Sequence, residues 1–153
     1  MSEIDRILVP VDLERHTRKL VDFAVDIANK LDAEIVVFHG IQSKEGGAMA
    51  DMGQLALAGV SGEQLQSTHA DEAGKKLEEI ASEIEGRCKK CESALVTGDV
   101  VDEIVAYAQK HKADLIIIGS HGRRGLDHIL LGSVAERVIK RSPCPTLIMN
   151  PYR

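Results

Sequence analysis

Five short apolar runs recur along the chain, separated by longer segments in which apolar residues return every three or four positions. Residues 7 to 11 (ILVPV), 35 to 38 (IVVF), 94 to 96 (ALV), 115 to 118 (LIII) and 146 to 149 (TLIM) are rich in branched aliphatics and predict strands. Two of them, 35 to 38 and 115 to 118, are apolar at every position, which suits the middle of a parallel sheet covered on both faces. The more polar CESALVTG segment suits an edge. Between the runs, Leu20, Phe23, Ala24, Ile27, Ala28 and Leu31 form one helical stripe. Ala73, Leu77, Ile80, Ala81 and Ile84 form a second, and Val101, Ile104, Val105 and Ala108 a third. Asp99 and Thr68 stand where helix caps belong, each with an Asp three residues on. A fourth helix is expected near Ser133, carrying Val134, Ala135 and Val138 inward until Pro143 and Pro145 stop it.

Strand and helix in alternation imply right-handed crossovers and an α/β fold, an open doubly wound sheet with helices on both faces. The 153 residues suit a single domain, 1–153. Residues 41 to 69 are the exception, too long for an ordinary connection, with a short helix expected around Met52 to Leu57. Their glycines and small residues argue for a mobile insertion, either a lid over a ligand or a tolerated loop.

Composition narrows the partners. A net charge of -5 repels a phosphate backbone, and 3% aromatic residues leave little to stack on bases, so nucleic acid is not expected. No stretch approaches the roughly 20 apolar residues of a membrane helix, and no signal segment opens the chain, so a cytoplasmic location is the expectation. Three Cys do not make a disulfide framework. Cys88 and Cys91 form a C-x-x-C pair without the second pair a zinc site needs, and they read as two incidental thiols, with Cys144 a packing residue.

In open parallel sheets ligands bind beyond the carboxyl ends of the strands, where crossovers diverge. Pro10-Val11-Asp12, His39-Gly40 and the loop GSHGRRGLDHILLGS from residue 119 all follow strand ends. Neither a dinucleotide G-x-G-x-x-G after the first strand nor a G-x-x-x-x-G-K-[ST] occurs. Gly119 and Gly122 can turn backbone amides toward an anion, and Gly132-Ser133 opens a helix whose first amides lack intrahelical partners. Arg123 and Arg124 can supply guanidinium forks, and the Ser133 hydroxyl can donate to a phosphate oxygen. Asp12 can accept from ribose hydroxyls, and Val11 with Gly40 leaves flat space for a purine. The bland alternative is that these glycines only shape turns and the arginines are solvated.

The opening ILVPVD, the GSHG after the fourth strand, the spacing G-x-x-G-(nine residues)-G-S and LLGSVAERVIKRSPCPTLIM together resemble the universal stress protein family over nearly the whole chain. The resemblance implies a five-stranded parallel sheet, order 3-2-1-4-5, in an adenine nucleotide alpha hydrolase-like fold. It implies a homodimer through the last strand, about residues 145–150. It also implies an ATP site, with AMP or ADP as alternatives and Mg2+ accompanying the phosphates. Pro10, Val11 and Asp12 would line the adenosine, with Gly40 at the adenine wall. Gly119, Ser120, His121, Gly122, Arg123, Gly132, Ser133 and Val134 would surround the phosphates. Gly40 stands where the family often has Val, Leu13-Glu14 replaces a small Gly-Ser pair, and Arg124 and Asp127-His128 also differ; the preferred nucleotide stays open. The motif supplies no convincing catalytic base, His121 and His128 being read as phosphate contacts. A nucleotide-dependent stress-response or signalling module is therefore the expectation. A slow ATPase or autophosphorylating enzyme, and a nucleotide-free dimeric interaction protein, are the alternatives.

Overall fold

A computed structural model describes residues 3–43, 62–120 and 131–152. Its strands are β1 (Arg6–Pro10), β2 (Glu34–Gln42), β3 (Cys91–Gly98), β4 (Leu115–Gly119) and β5 (Thr146–Met149). The helices are α1 (Thr17–Leu31), α2 (Gly62–Ile84), α3 (Val100–Lys110) and α4 (Ser133–Arg141). All strand pairs are parallel, in the order β3-β2-β1-β4-β5. The runs 35 to 38 and 115 to 118 lie in β2 and β4, each with a neighbour on both sides, and the more polar β3 is an edge.

Period-2 alternation sorts the central strands onto two cores. Ile7, Val9, Ile35, Val37, Leu115 and Ile117 face α1 and α2, while Leu8, Val36, Phe38, Ile116 and Ile118 face α3 and α4. Among the described residues each face is thus covered by the two helices of consecutive crossovers, the arrangement right-handed connections require. Phe38, fully buried, meets Tyr107 edge-on at 5.3 Å between ring centroids.

Local chemistry places the helix ends. Asp99 caps α3, its carboxylate accepting from the Asp102 amide at 3.0 Å. Asp32 closes α1 in the left-handed region at φ 54, its amide donating to the Ala28 carbonyl. At the amino-terminal edge of the sheet, Asp114 accepts from the Asp5 and Arg6 amides at 3.0 Å each, and Arg6 pairs with Glu34 at 2.5 Å and with the His111 carbonyl.

Several expectations are corrected. Thr68 lies inside α2, which starts six residues earlier at Gly62, so it caps nothing. The α1 stripe is rotated: Val21 and Val25 are buried while Leu31 is 43% exposed, because α1 packs through the column shared with Leu20, Ala24 and Ala28. On α4 only Ala135 and Val138 point inward; Val134 is 38% exposed. β2 runs on to Gln42 and α2 takes in residues 62 to 69, shortening the long connection at both ends. The helix expected around Met52 to Leu57 lies outside the described residues. Cys88 and Cys91, expected as separate thiols, are joined by a disulfide, while Cys144 is free and packs against the second core.

Candidate functional site

Because every strand is parallel, the ends of β1, β2, β4 and β5 open on one edge of the sheet. From β1 the chain crosses toward β2 and β3, whereas β4 and β5 lie on the other side, so the switch point falls between β1 and β4. The segments after those two strands carry the residues singled out in the sequence.

Pro10 ends β1, buried and in register with Phe38. The Val11 amide donates to the Phe38 carbonyl at 2.8 Å, and the Val11 carbonyl accepts from His39 Nδ1 at 2.8 Å. A carbonyl only accepts, so that ring nitrogen carries the proton. With both peptide groups committed, Val11 offers a buried apolar wall. Asp12 Oδ1 accepts from the Glu14 amide at 2.9 Å and from the hydroxyl of buried Thr17 at 3.2 Å. Both bonds converge on one oxygen, which orients the carboxylate at the start of α1. Leu13, directly after it, takes φ 63, the left-handed region that costs a branched side chain about 1–2 kcal/mol. A glycine at this position would hold that turn without strain.

Gly40 lies near the end of β2. A Cβ there would stand 3.3 Å from Val100 Cγ1 and 3.5 Å from Phe38 Cε1, so the missing side chain lets the start of α3 approach the strand. This packing reason accounts for the glycine on the α3 face.

Gly119 ends β4 in register with Met149. Ser120 is 6% exposed; its amide donates to the Met149 carbonyl at 2.8 Å, and its carbonyl accepts from the Gly132 amide at 2.6 Å. Residues 120 and 132 are thereby pinned together at the mouth of β4. His121, Gly122 and Arg123 lie outside the described residues, as do Arg124 and His128. Gly132 is the N-cap of α4 at φ -60, ψ 151, with no side chain to bond the first amides of the helix. Ser133 and Val134 are exposed at that end. An uncapped helix start with its dipole and forward-pointing amides is suited to an anion.

Charge pairs connect the middle and the carboxyl end of α4 to the start of α3. Arg137 lies 3.6 Å from Asp99, and Arg141 bonds Asp102 at 2.5 Å. The Asp102 backbone amide, more than Arg137, holds the Asp99 carboxyl below the usual range. The Gln42 side chain accepts from the Val100 amide at 3.2 Å, tying the end of β2 to the same helix start. Among the described residues no group of three His, Cys, Asp or Glu is placed to hold a metal ion, and no helix there is long and apolar enough to cross a membrane.

His39 and Thr17 are the structural members of the site that sequence reasoning left without a role. The signal for His39 was alternation: a polar residue one step beyond the buried Phe38 returns to the α1 face of the sheet, beside Val11. Thr17 carried the weaker signal of a hydroxyl five residues after Asp12.

Comparison with known proteins matches this architecture. The chain is 34% identical over 145 residues to Universal stress protein MJ0531 of Methanocaldococcus jannaschii, covering 95% of this chain and 81% of that protein. The solved structure of MJ0577, a universal stress protein of the same organism, superposes with a TM-score of 0.79 at 29% identity, over 97% of both chains. A universal stress protein from Archaeoglobus fulgidus, solved in complex with dAMP, has the same fold, with a TM-score of 0.64 at 23% identity over 96% of this chain and 98% of that one. The sequence pattern described as Universal stress protein family matches residues 3–150, and the chain belongs to that family.

Proposed function

We propose that this chain is an ATP-binding universal stress protein, a nucleotide-dependent stress-response or signalling module in which ligand binding, and not efficient turnover, is the chemical event. One observation carries the reading. Ser120 and Gly132 are bonded to each other, which fixes the start of α4 at the carboxyl end of β4, and β4 pairs with β1, the strand that leads into Asp12. The residues present suit an adenine nucleotide: an apolar wall at Val11, an oriented carboxylate at Asp12 for ribose hydroxyls, and the amides of Ser133 and Val134 for a phosphate. The dAMP complex of the Archaeoglobus fulgidus relative supports an adenine nucleotide as the ligand class.

Roles then divide by element. Pro10, Val11 and Asp12 with Gly40 flank the nucleoside. Gly119, Ser120, Gly132, Ser133 and Val134 form the phosphate side, joined there by His121, Gly122 and Arg123. Mg2+, when present, is held through the phosphates. Homodimerisation through β5, whose four residues are all half-buried at the sheet edge, belongs to the same proposal. Calorimetry with ATP, ADP and AMP, with and without Mg2+, tests the site on the wild type and on Asp12→Ala. ATP heats lost in the variant support it; equal heats for both proteins remove Asp12, and no heat for either removes the nucleotide. Mass spectrometry of a denatured extract separates a binding module, which keeps intact ATP through purification, from a nucleotide-free interaction protein.

A further inference from the structure

Cys88 lies on the turn between α2 and β3 and Cys91 opens β3, at the edge of the sheet opposite the strand ends discussed above. Their backbone is fixed independently of the sulfur chemistry. The Arg87 amide donates to the Ile84 carbonyl at 2.9 Å, and the Arg87 carbonyl accepts from Asn29 at 2.8 Å. The Arg87 guanidinium pairs with Asp22 at 2.9 Å, and the Lys90 carbonyl accepts from the Ile35 amide at 2.9 Å. Gly86 supplies the left-handed turn at φ 81. The Cα atoms of the two cysteines are thus held 6.4 Å apart, inside the roughly 4.4–6.8 Å span a disulfide bridges without backbone movement. Both residues are half-buried, so they pack on the first core and remain within reach of a reagent.

The surroundings accommodate the reduced state as well. Cys91 Sγ lies 3.4 Å from the Ile84 carbonyl oxygen. In the disulfide this is a contact; in the dithiol the Cys91 S–H donates to that carbonyl. Opening the bond therefore leaves no buried polar group newly stranded.

The geometry points to a reversible thiol–disulfide exchange site at Cys88 and Cys91, whose oxidant is a low-molecular-weight disulfide. The Cys88 thiol gives up its proton, and its thiolate attacks one sulfur of the external disulfide R–S–S–R. That S–S bond breaks, and R–S⁻ leaves and takes up the proton. The Cys91 thiol then gives up its proton, and its thiolate attacks Cys88 Sγ in the mixed disulfide and displaces the second R–S⁻, which takes up that proton. Two protein thiols are oxidised and one external disulfide is reduced to two thiols. Cys88 attacks first because Cys91 faces the carbonyl end of α2, where lone pairs and the helix dipole oppose a thiolate. Lys89 and Lys90, which follow Cys88, are paired with Asp32 at 3.8 Å and Glu92 at 3.1 Å and so add only a screened positive field.

The test uses the full chain carrying Cys144→Ser, equilibrated in glutathione buffers from fully reduced to fully oxidised, acid-quenched, alkylated and mapped by mass spectrometry. Alkylation at Cys88 and Cys91 is expected to disappear together, within one chain, as the oxidised fraction rises. Adding Cys91→Ser should trap a glutathione adduct on Cys88, formed at least tenfold faster than the adduct on Cys91 in the Cys88→Ser chain. Both thiols alkylated at every ratio, a bond that persists in the fully reduced buffer, or a bond between two chains would each overturn the site. Faster adduct formation on Cys91 would overturn the order of attack. None of these outcomes depends on nucleotide binding.

Discussion

Ser133→Pro separates the fold of α4 from its use. Ser133 is the first residue of the helix, where the amide has no intrahelical partner and the helical φ, about -63°, is close to the one proline imposes. Gly132 before it sits at φ -60, ψ 151, the extended region that a residue preceding proline adopts. The exchange should leave α4 intact and, by narrowing the unfolded ensemble, change stability by at most roughly 1 kcal/mol. It removes one amide donor and the hydroxyl from the phosphate side of the proposed site. A hydrogen bond to a charged oxygen contributes about 1.5–3 kcal/mol, and each 1.4 kcal/mol is about tenfold in affinity. Loss of the amide hydrogen bond alone should weaken ATP binding roughly 10- to 150-fold, and loss of the hydroxyl adds to it, so that Ser133→Ala, which keeps the amide, falls between the variant and the wild type. Calorimetric titration with ATP reads the affinity, and a thermal melt without nucleotide reads the fold. A proline variant that melts like the wild type yet binds ATP within twofold of it would take the helix start out of the site.

Three further outcomes follow from local structure. Asp99→Ala should cost about 1 kcal/mol in urea unfolding through loss of the α3 cap. Because the folded Asp99 carboxyl is held below the ordinary value near about 3.9, its contribution is present above that pH and disappears as pH falls through the lower folded value. Asp99→Asn, which still caps, should flatten this part of the acid limb and match the wild type at pH 7. Phe38→Ala, in a fully buried position, should lower stability by about 3–5 kcal/mol, read as a fall in the urea midpoint. Among the described residues the buried Thr146 hydroxyl has no hydrogen-bond partner, so Thr146→Val should leave the melting temperature unchanged or raise it by the equivalent of about 1 kcal/mol; a clear loss would mean that the hydroxyl is bonded in solution.

What the sequence made legible was whatever a repeating pattern encodes. Two uninterrupted apolar runs identified the interior strands β2 and β4, since a strand covered on both faces has no position left for a polar residue. Strand order came through the family resemblance, because periodicity carries no information about which strands neighbour each other. The helix faces were read to within one column. Leu31 and Val134 were assigned inward because they are apolar and in phase, yet both lie in terminal turns and off the column of buried residues through which each helix packs. Thr68 failed as a cap because its pattern is local, whereas α2 extends through the polar residues before it. The C-x-x-C pair was discounted because no second pair completes a zinc site; the fixed turn between α2 and β3 brings the two sulfurs together.

The phosphate side of the site changes most once coordinates replace spacing. A glycine-containing loop in sequence suggests a string of amides all available to an anion, but hydrogen bonds distribute them unequally. The Ser120 amide is used by β5 and the Gly132 amide by Ser120, so both ends of the loop are structural and cannot also cradle phosphate through those groups. Their commitment has a use. By joining residue 120 to residue 132, they fix where α4 begins relative to β4 and β5, and with it the direction in which the amides of Ser133 and Val134 point. The glycine at 132 supplies the extended N-cap without a side chain that would cap those amides itself. A serine or aspartate at 132 would be the better choice for helix stability alone, by about 1 kcal/mol or less, and would occupy the donors that the proposed ligand needs. Gly132→Asp is therefore expected to raise the melting temperature slightly while weakening ATP binding, and a variant in which both quantities rise would contradict the role given to this helix start.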